Sequence, residues 1–168
     1  KDIKYNVVRR SWNPETGLFG SADTVFMATA LGKSATFPRV SPNGKFLLFA
    51  LGEYGCFHIW HKDADLYLLD IEDGSYWPLE KAKSPFAESY HSWSSNGKWI
   101  LFASRRMDNN YSRLYIAHIN EDGTSDKAFA LPQAAPGHYD FFDRSYNVPE
   151  FMVEPVRFAP QDFVEVVK

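Results

Sequence analysis

The sequence predicts an all-β fold of β-propeller blades, each of four antiparallel strands, in an incomplete ring. Internal repetition is the first observation behind this. Residues 37–50 return as residues 90–103, so that Ser41, Asn43-Gly44-Lys45 and Phe49-Ala50 recur as Ser94, Asn96-Gly97-Lys98 and Phe102-Ala103 fifty-three positions on. A second block is the next observation. Asp65-Leu66-Tyr67-Leu68-Leu69-Asp70-Ile71, then Asp73-Gly74, returns as Arg113-Leu114-Tyr115-Ile116-Ala117-His118-Ile119, then Asp122-Gly123. A repeat of about fifty residues has the length of a propeller blade and excludes the shorter helical repeats. The third observation is composition: aromatics reach 17%, which suits strands, and no long amphipathic helical stretch is present.

The strands follow in order. In each copy the first is short and ends at Asn-Gly, a tight hairpin signal read as a type I′ turn with positive φ at both central residues. The second, residues 46–50 or 99–103, is apolar on both faces, as a strand covered on both sides must be. The third carries Leu-Tyr-Leu-Leu or Leu-Tyr-Ile-Ala and ends at Asp-Gly. The fourth spans residues 76–79 or 128–131, and Pro78 marks it as a sheet edge, where a missing N–H is harmless.

Before the first copy, residues 3–8 read as a third strand, 13–20 as an irregular connection with Pro14, Gly17 and Gly20, and 23–27 as an outer strand. After Leu131, residues 132–137 are a loop and 139–142 are aromatic but too short to classify. Residues 146–156 read as extended tail, and 163–167 as a last strand or a helical turn after Pro160. The expected organisation is one propeller segment over 1–168: a partial blade (1–30), two whole blades (35–80 and 88–132) and a C-terminal tail (133–168). So few blades do not close a ring, since propellers usually carry four to eight. Remaining blades of a longer chain, or another copy, are therefore expected against the open edges.

Bulk properties exclude several classes. Hydrophobic residues make up 45%, enough for a packed core. The formal charge is -3 with no stripe of Lys and Arg, which argues against nucleic acid as a partner. No apolar run reaches membrane-spanning length. Cys56 is the single cysteine, so no intrachain disulfide forms. The start at Lys1-Asp2-Ile3, without Met, reads as a processed product or a piece of a longer chain.

At Ser41-Pro42-Asn43-Gly44-Lys45 and Ser94-Ser95-Asn96-Gly97-Lys98 the chain resembles the TolB-like, WD40-like (PD40) propeller repeat, whose core reads Ser-Pro-Asp-Gly-Lys. Asn replaces the usual Asp in both copies. Four longer phrases look like a subgroup of secreted bacterial proteins with this repeat, some labelled cytochrome c biosynthesis proteins. They are Ile59-Trp60-His61-Lys62 running on to Asp70, Ser89-Tyr90-His91-Ser92-Trp93-Ser94-Ser95-Asn96, Ser104-Arg105-Arg106 and Tyr146-Asn147-Val148-Pro149-Glu150-Phe151. The resemblance covers roughly residues 35–156. It implies a β-propeller and a periplasmic or extracellular location in the cell envelope. It carries no catalytic residue across.

Candidate sites lie on the long connections. Cys56, His58 and His61 have ligand-type spacing, but a tetrahedral metal site needs a fourth ligand and none is offered; packing of Phe57 and Trp60 is the plainer reading. No Cys-x-x-Cys-His is present for haem and no Gly-x-Ser-x-Gly for a serine hydrolase. Ser94-x-Asn96-Gly97 departs from the sialidase Asp-box and reads as a turn. No cofactor, metal or catalytic residue is assigned.

In a four-stranded blade the tight Asn-Gly and Asp-Gly turns share one end and the long links share the other. Loops on a rigid scaffold carry function, so binding is expected at the long-loop end through Trp60, His61, His91, Arg105 and Arg106. Arg39 and Tyr90 are expected at the same mouth. The plainer reading pairs one of Arg105 and Arg106 with an acid such as Asp108 and leaves the other solvated; the functional reading is anion or carboxylate binding through the bidentate Arg fork. The function expected is non-catalytic recognition of a protein or small-molecule ligand. The alternative is the accessory propeller of an enzyme such as a serine peptidase or a carbohydrate-active protein.

Overall fold

The computed structural model of the chain describes residues 2–155 and 157–166. Two four-stranded antiparallel sheets follow one another in strict meander order. The first contains β3 (Ser34–Val40), β4 (Phe46–Gly52), β5 (Asp65–Asp70) and β6 (Tyr76–Pro78). The second contains β7 (Glu88–Trp93), β8 (Trp99–Ser104), β9 (Arg113–His118) and β10 (Phe129–Ala130). A two-stranded sheet, β1 (Val7–Asn13) with β2 (Leu18–Phe26), precedes them. This is an all-β, incomplete propeller, with no closed ring among the described residues.

The core explains why β4 is apolar on both faces. All seven of its residues are buried. Phe46, Leu48 and Ala50 pack with Ile100 and Phe102 of β8, whereas Leu47, Phe49 and Leu51 pack with Val7, Phe26 and Ala35. Successive side chains point to opposite faces of a strand, so β4 holds one sheet on each side. Phe26 and Phe49 meet with ring centroids 4.7 Å apart. Truncating Phe49 to Ala would cost about 3–5 kcal/mol.

The turn type and the N-terminal boundaries are corrected. The Asn-Gly turns are not type I′. Gly44 and Gly97 have φ of 74° and 69°, but Asn43 and Asn96 are not at positive φ. Gly44 N–H donates to the Ser41 carbonyl, and Asn43 Oδ1 accepts from the Ser41 hydroxyl and the Lys45 N–H. Ser94, Asn96 and Lys98 repeat this network. The connection is thus a longer loop in which Gly alone takes the left-handed conformation and Asn works through its side chain.

At the N-terminus, β1 starts at Val7 and runs on to Asn13, and β2 starts already at Leu18. Residues 3–5 instead lie beside β3, where Tyr5 N–H donates to Ser34 Oγ and Ala35 N–H to the Tyr5 carbonyl. Pro14 and Gly17 sit in a tight turn whose amides at Glu15 and Thr16 donate to Asn13 Oδ1. At the C-terminus, His138–Phe141 (α1) and Pro160–Val166 (α2) are short helices. The helical-turn alternative for residues 163–167 therefore holds over its described part; Val167, like Val156 of the expected tail, lies outside the described residues. Residues 146–155 form no strand or helix.

Candidate functional site

A cleft of about 320 Å³ opens at the long-loop end. The β4–β5 connection supplies Ile59 and Trp60, β7 supplies Tyr90, the β8–β9 connection supplies Arg105 and Ser112, and tail residues 145–147 form a wall.

Trp60 ends a short 3-10 turn, His58–Trp60, and is 62% exposed. The Arg105 guanidinium carbon lies 4.6 Å above its ring, a cation–π contact of about 0.5–1 kcal/mol at an exposed site. Arg105 is held by its own loop. Its Nη2 donates to the Asn110 carbonyl at 3.0 Å, and Asn109 N–H donates back to the Arg105 carbonyl. Asn109 takes φ of 59° to make this bend. The Nε of Arg105 is buried with no hydrogen-bond partner.

Tyr90 reaches the cleft through a distorted backbone. Its φ is 51°, and the register of β7 against β8 shifts between Ser89 and Ser92. Phe37, at the same place in the first sheet, has φ of 54° and the same kind of shift between Thr36 and Arg39. An aromatic residue at positive φ is uncommon and is held there only by its surroundings. Bulges re-aim side chains; here they bring the two rings edge to face with centroids 5.0 Å apart. Burial, with Cys56 beside it, raises the Tyr90 hydroxyl above its usual pKa.

The tail is bound as an extended segment. Tyr146 N–H donates to the Ser112 carbonyl, the Ser112 hydroxyl donates to the Tyr146 carbonyl, and Ser112 N–H donates to Ser145 Oγ. The buried Arg113 donates to the carbonyls of Phe142 and Arg144. Further along, Glu150 pairs with Arg39 at 2.9 Å. Arg39 stands one residue from the end of β3, so it lies toward the Asn-Gly end and not at the loop mouth as expected. The tail therefore touches the start of β9 at the long-loop end and the far end of β3 toward the other.

The sequence-predicted residues separate into two groups. Trp60 and Arg105 meet in the cleft. His61 lies beside it, its ring tilted against Tyr54 with centroids 4.5 Å apart, and His58 at 5.5 Å. His91 is a correction: it is 1% exposed, and its Nε2 is 3.2 Å from the Leu48 carbonyl of the neighbouring sheet. Burial lowers its pKa to about 4, so it is a neutral spacer between sheets. Arg106 turns inward to Glu88, at 3.1 Å, and donates its Nε to Ser104. Burial raises the Glu88 carboxyl to about 7 despite Ser84, Arg106 and Ser104 around it. The expected acid partner, Asp108, instead accepts from the Asn110 and Tyr111 amides and pairs with Arg113 at 3.6 Å.

His58 is fully buried and shares a 2.8 Å hydrogen bond with Thr36. Among the described residues no three His, Cys, Asp or Glu groups converge to hold a metal ion, and no helix is long and apolar enough to cross a membrane. The sequence did not reveal the tail wall or the acid at Glu88. The paired aromatics Phe37 and Tyr90 were visible as equivalent positions of the repeat, but their backbone conformation was not.

No family model matches the chain, and no curated protein matches it. Among solved structures it is similar to TolB from Acinetobacter baumannii, with 20% identity and a TM-score of 0.48, over 76% of this chain and 28% of that one. It is also similar to the β-propeller domain of the Trilobed protease from Pyrococcus furiosus, with 14% identity and a TM-score of 0.39, over 79% of this chain and 45% of that one. The chain thus spans less than half the length of either. Its own strand order and core establish the fold.

Proposed function

We propose that this chain is a non-catalytic recognition module of the cell envelope, meeting a protein segment or small molecule at its long-loop end. The observation that carries the reading is the cleft itself. An exposed Trp60, the stacked Arg105 and a bulge-directed Tyr90 converge in one concavity on a rigid sheet scaffold. Clefts with a few placed polar groups are the usual form of ligand sites, and this one is of ligand size. The envelope location rests on the repeat phrases around Trp60, Tyr90 and Tyr146.

Chemical-shift mapping with a panel of short peptides and aromatic small molecules tests the reading. Shifts are expected to cluster at Trp60, Tyr90 and Arg105. Trp60→Ala and Arg105→Ala should abolish them, and Asp122→Ala at the opposite end should not. Shifts centred on the tight-turn end would overturn it. Fractionation of cells making the full-length product tests location, and recovery only from the cytosol would overturn that part.

A further inference from the structure

We infer that the cleft selects a small amphipathic carboxylate, with the acid on Arg105 and the apolar group against Trp60 and Tyr90. This rests on the recognition reading above and adds the chemical class of the ligand.

Charge decides the sign. Arg105 is the one charged side chain lining the cleft. The nearest acid in the loop, Asp108, is occupied by two backbone amides and by Arg113. Arg39 and Glu150 neutralise each other further down the tail, and Lys62 lies over the Phe86 ring. Asp108 feels the Arg105 charge but stands outside the lining, so the wall of the cleft itself carries a positive charge and no negative one. A cation entering it meets repulsion without a partner, and a neutral ligand leaves the guanidinium's capacity unused.

Hydrogen bonding points the same way. Among the described residues the Arg105 guanidinium makes one hydrogen bond, from Nη2 to the Asn110 carbonyl, so its remaining Nη donors are left to meet an acceptor. A planar guanidinium matches a carboxylate in two parallel hydrogen bonds. The loop bonds at Asn110 and Asn109 hold Arg105 in place before a ligand comes, which lowers the ordering cost of binding.

Apolar contact supplies the rest. Trp60 is 62% exposed although Arg105 covers part of it, and Tyr90 and Ile59 line the same space. A ring or short chain attached to the carboxylate would lie against them, and the neutral Ser145 and Asn147 belong to the same lining.

The test uses three near-isosteric probes: phenylacetate, phenylacetamide and phenethylamine. Titrations of the protein are followed through the Trp60 indole N–H and the Arg105 Nε–H resonances. Phenylacetate is expected to bind at least about tenfold more tightly than phenylacetamide, with phenethylamine weaker still. Arg105→Gln should erase the acid-over-amide preference, and Trp60→Ala should weaken all three alike. Binding of all three at these resonances with equal affinity would overturn the carboxylate assignment while leaving the recognition reading intact. Absence of any shift from all three would count against both. A preference that survives Arg105→Gln would place the anion elsewhere and overturn the role of Arg105.

Discussion

Glu88 and His91 sit three residues apart on β7, both 1% exposed, and burial moves them in opposite directions. The Glu88 carboxyl rises from 4.5 to about 7. The His91 imidazole falls from 6.5 to about 4. Over the Glu88 window the folded chain keeps a proton that the unfolded chain has released. Its stabilisation is complete below pH 4.5 and is lost as pH rises through about 7. Over the His91 window the unfolded chain holds a proton that the folded chain rejects. That stabilisation is present above pH 6.5 and is lost as pH falls through about 4.

At about 1.4 kcal/mol per pH unit, each group swings stability by about 3 kcal/mol. Asp65, also raised by burial, adds to the first effect; His58, lowered by burial, adds to the second. The opposed slopes overlap between pH 4.5 and 6.5, so the parent chain should show a nearly level profile there. Glu88→Gln should unmask the histidine, losing about 3 kcal/mol as pH falls across the window. His91→Gln should unmask the acid, gaining a similar amount over the same fall. Urea unfolding read by tryptophan fluorescence at stepped pH measures this. Slopes are compared, so a constant loss from either substitution does not interfere. If both variants keep the parent's profile, the opposed-burial reasoning is wrong.

Other outcomes follow from particular contacts. Gly123→Ala should destabilise far more than Gly44→Ala: both have positive φ, but a Cβ at Gly123 would stand 2.4 Å from the Trp77 ring, and one at Gly44 meets open space. Thermal melts of the two variants decide it, and equal melting temperatures would refute it. At Tyr90, Val should cost at least about 1 kcal/mol more than Asn, despite being apolar, because a β-branched residue fits badly at φ of 51°; denaturant midpoints of the two variants give the difference. Arg113→Lys removes a forked donor from the carbonyls of Phe142 and Arg144. It should cost about 1–3 kcal/mol and speed hydrogen exchange at the Tyr146 amide, while unchanged exchange would show that the tail is held by other means.

The sequence by itself determined the blades. Strand alternation, the Asn-Gly and Asp-Gly turns and the double-faced apolar run of residues 46–50 act between near neighbours, so repetition exposes them without coordinates. It also brought Trp60 and Arg105 forward together, because strand order alone sends both long connections to one end. Only the tertiary structure decided which charges pair and which side chains reach the mouth. Arg105 and Arg106 are adjacent and chemically identical, yet one lies over Trp60 and the other turns in to Glu88, eighteen residues earlier in the chain. His91 looked like a mouth residue and became a buried spacer because its neighbour Tyr90 takes a left-handed backbone, shifting the register of β7. The tail wall arises from hydrogen bonds between Ser112 and residues more than thirty positions away. Direction along a strand is local, but desolvation and pairing depend on which distant surface arrives, and that is a property of the assembled sheets.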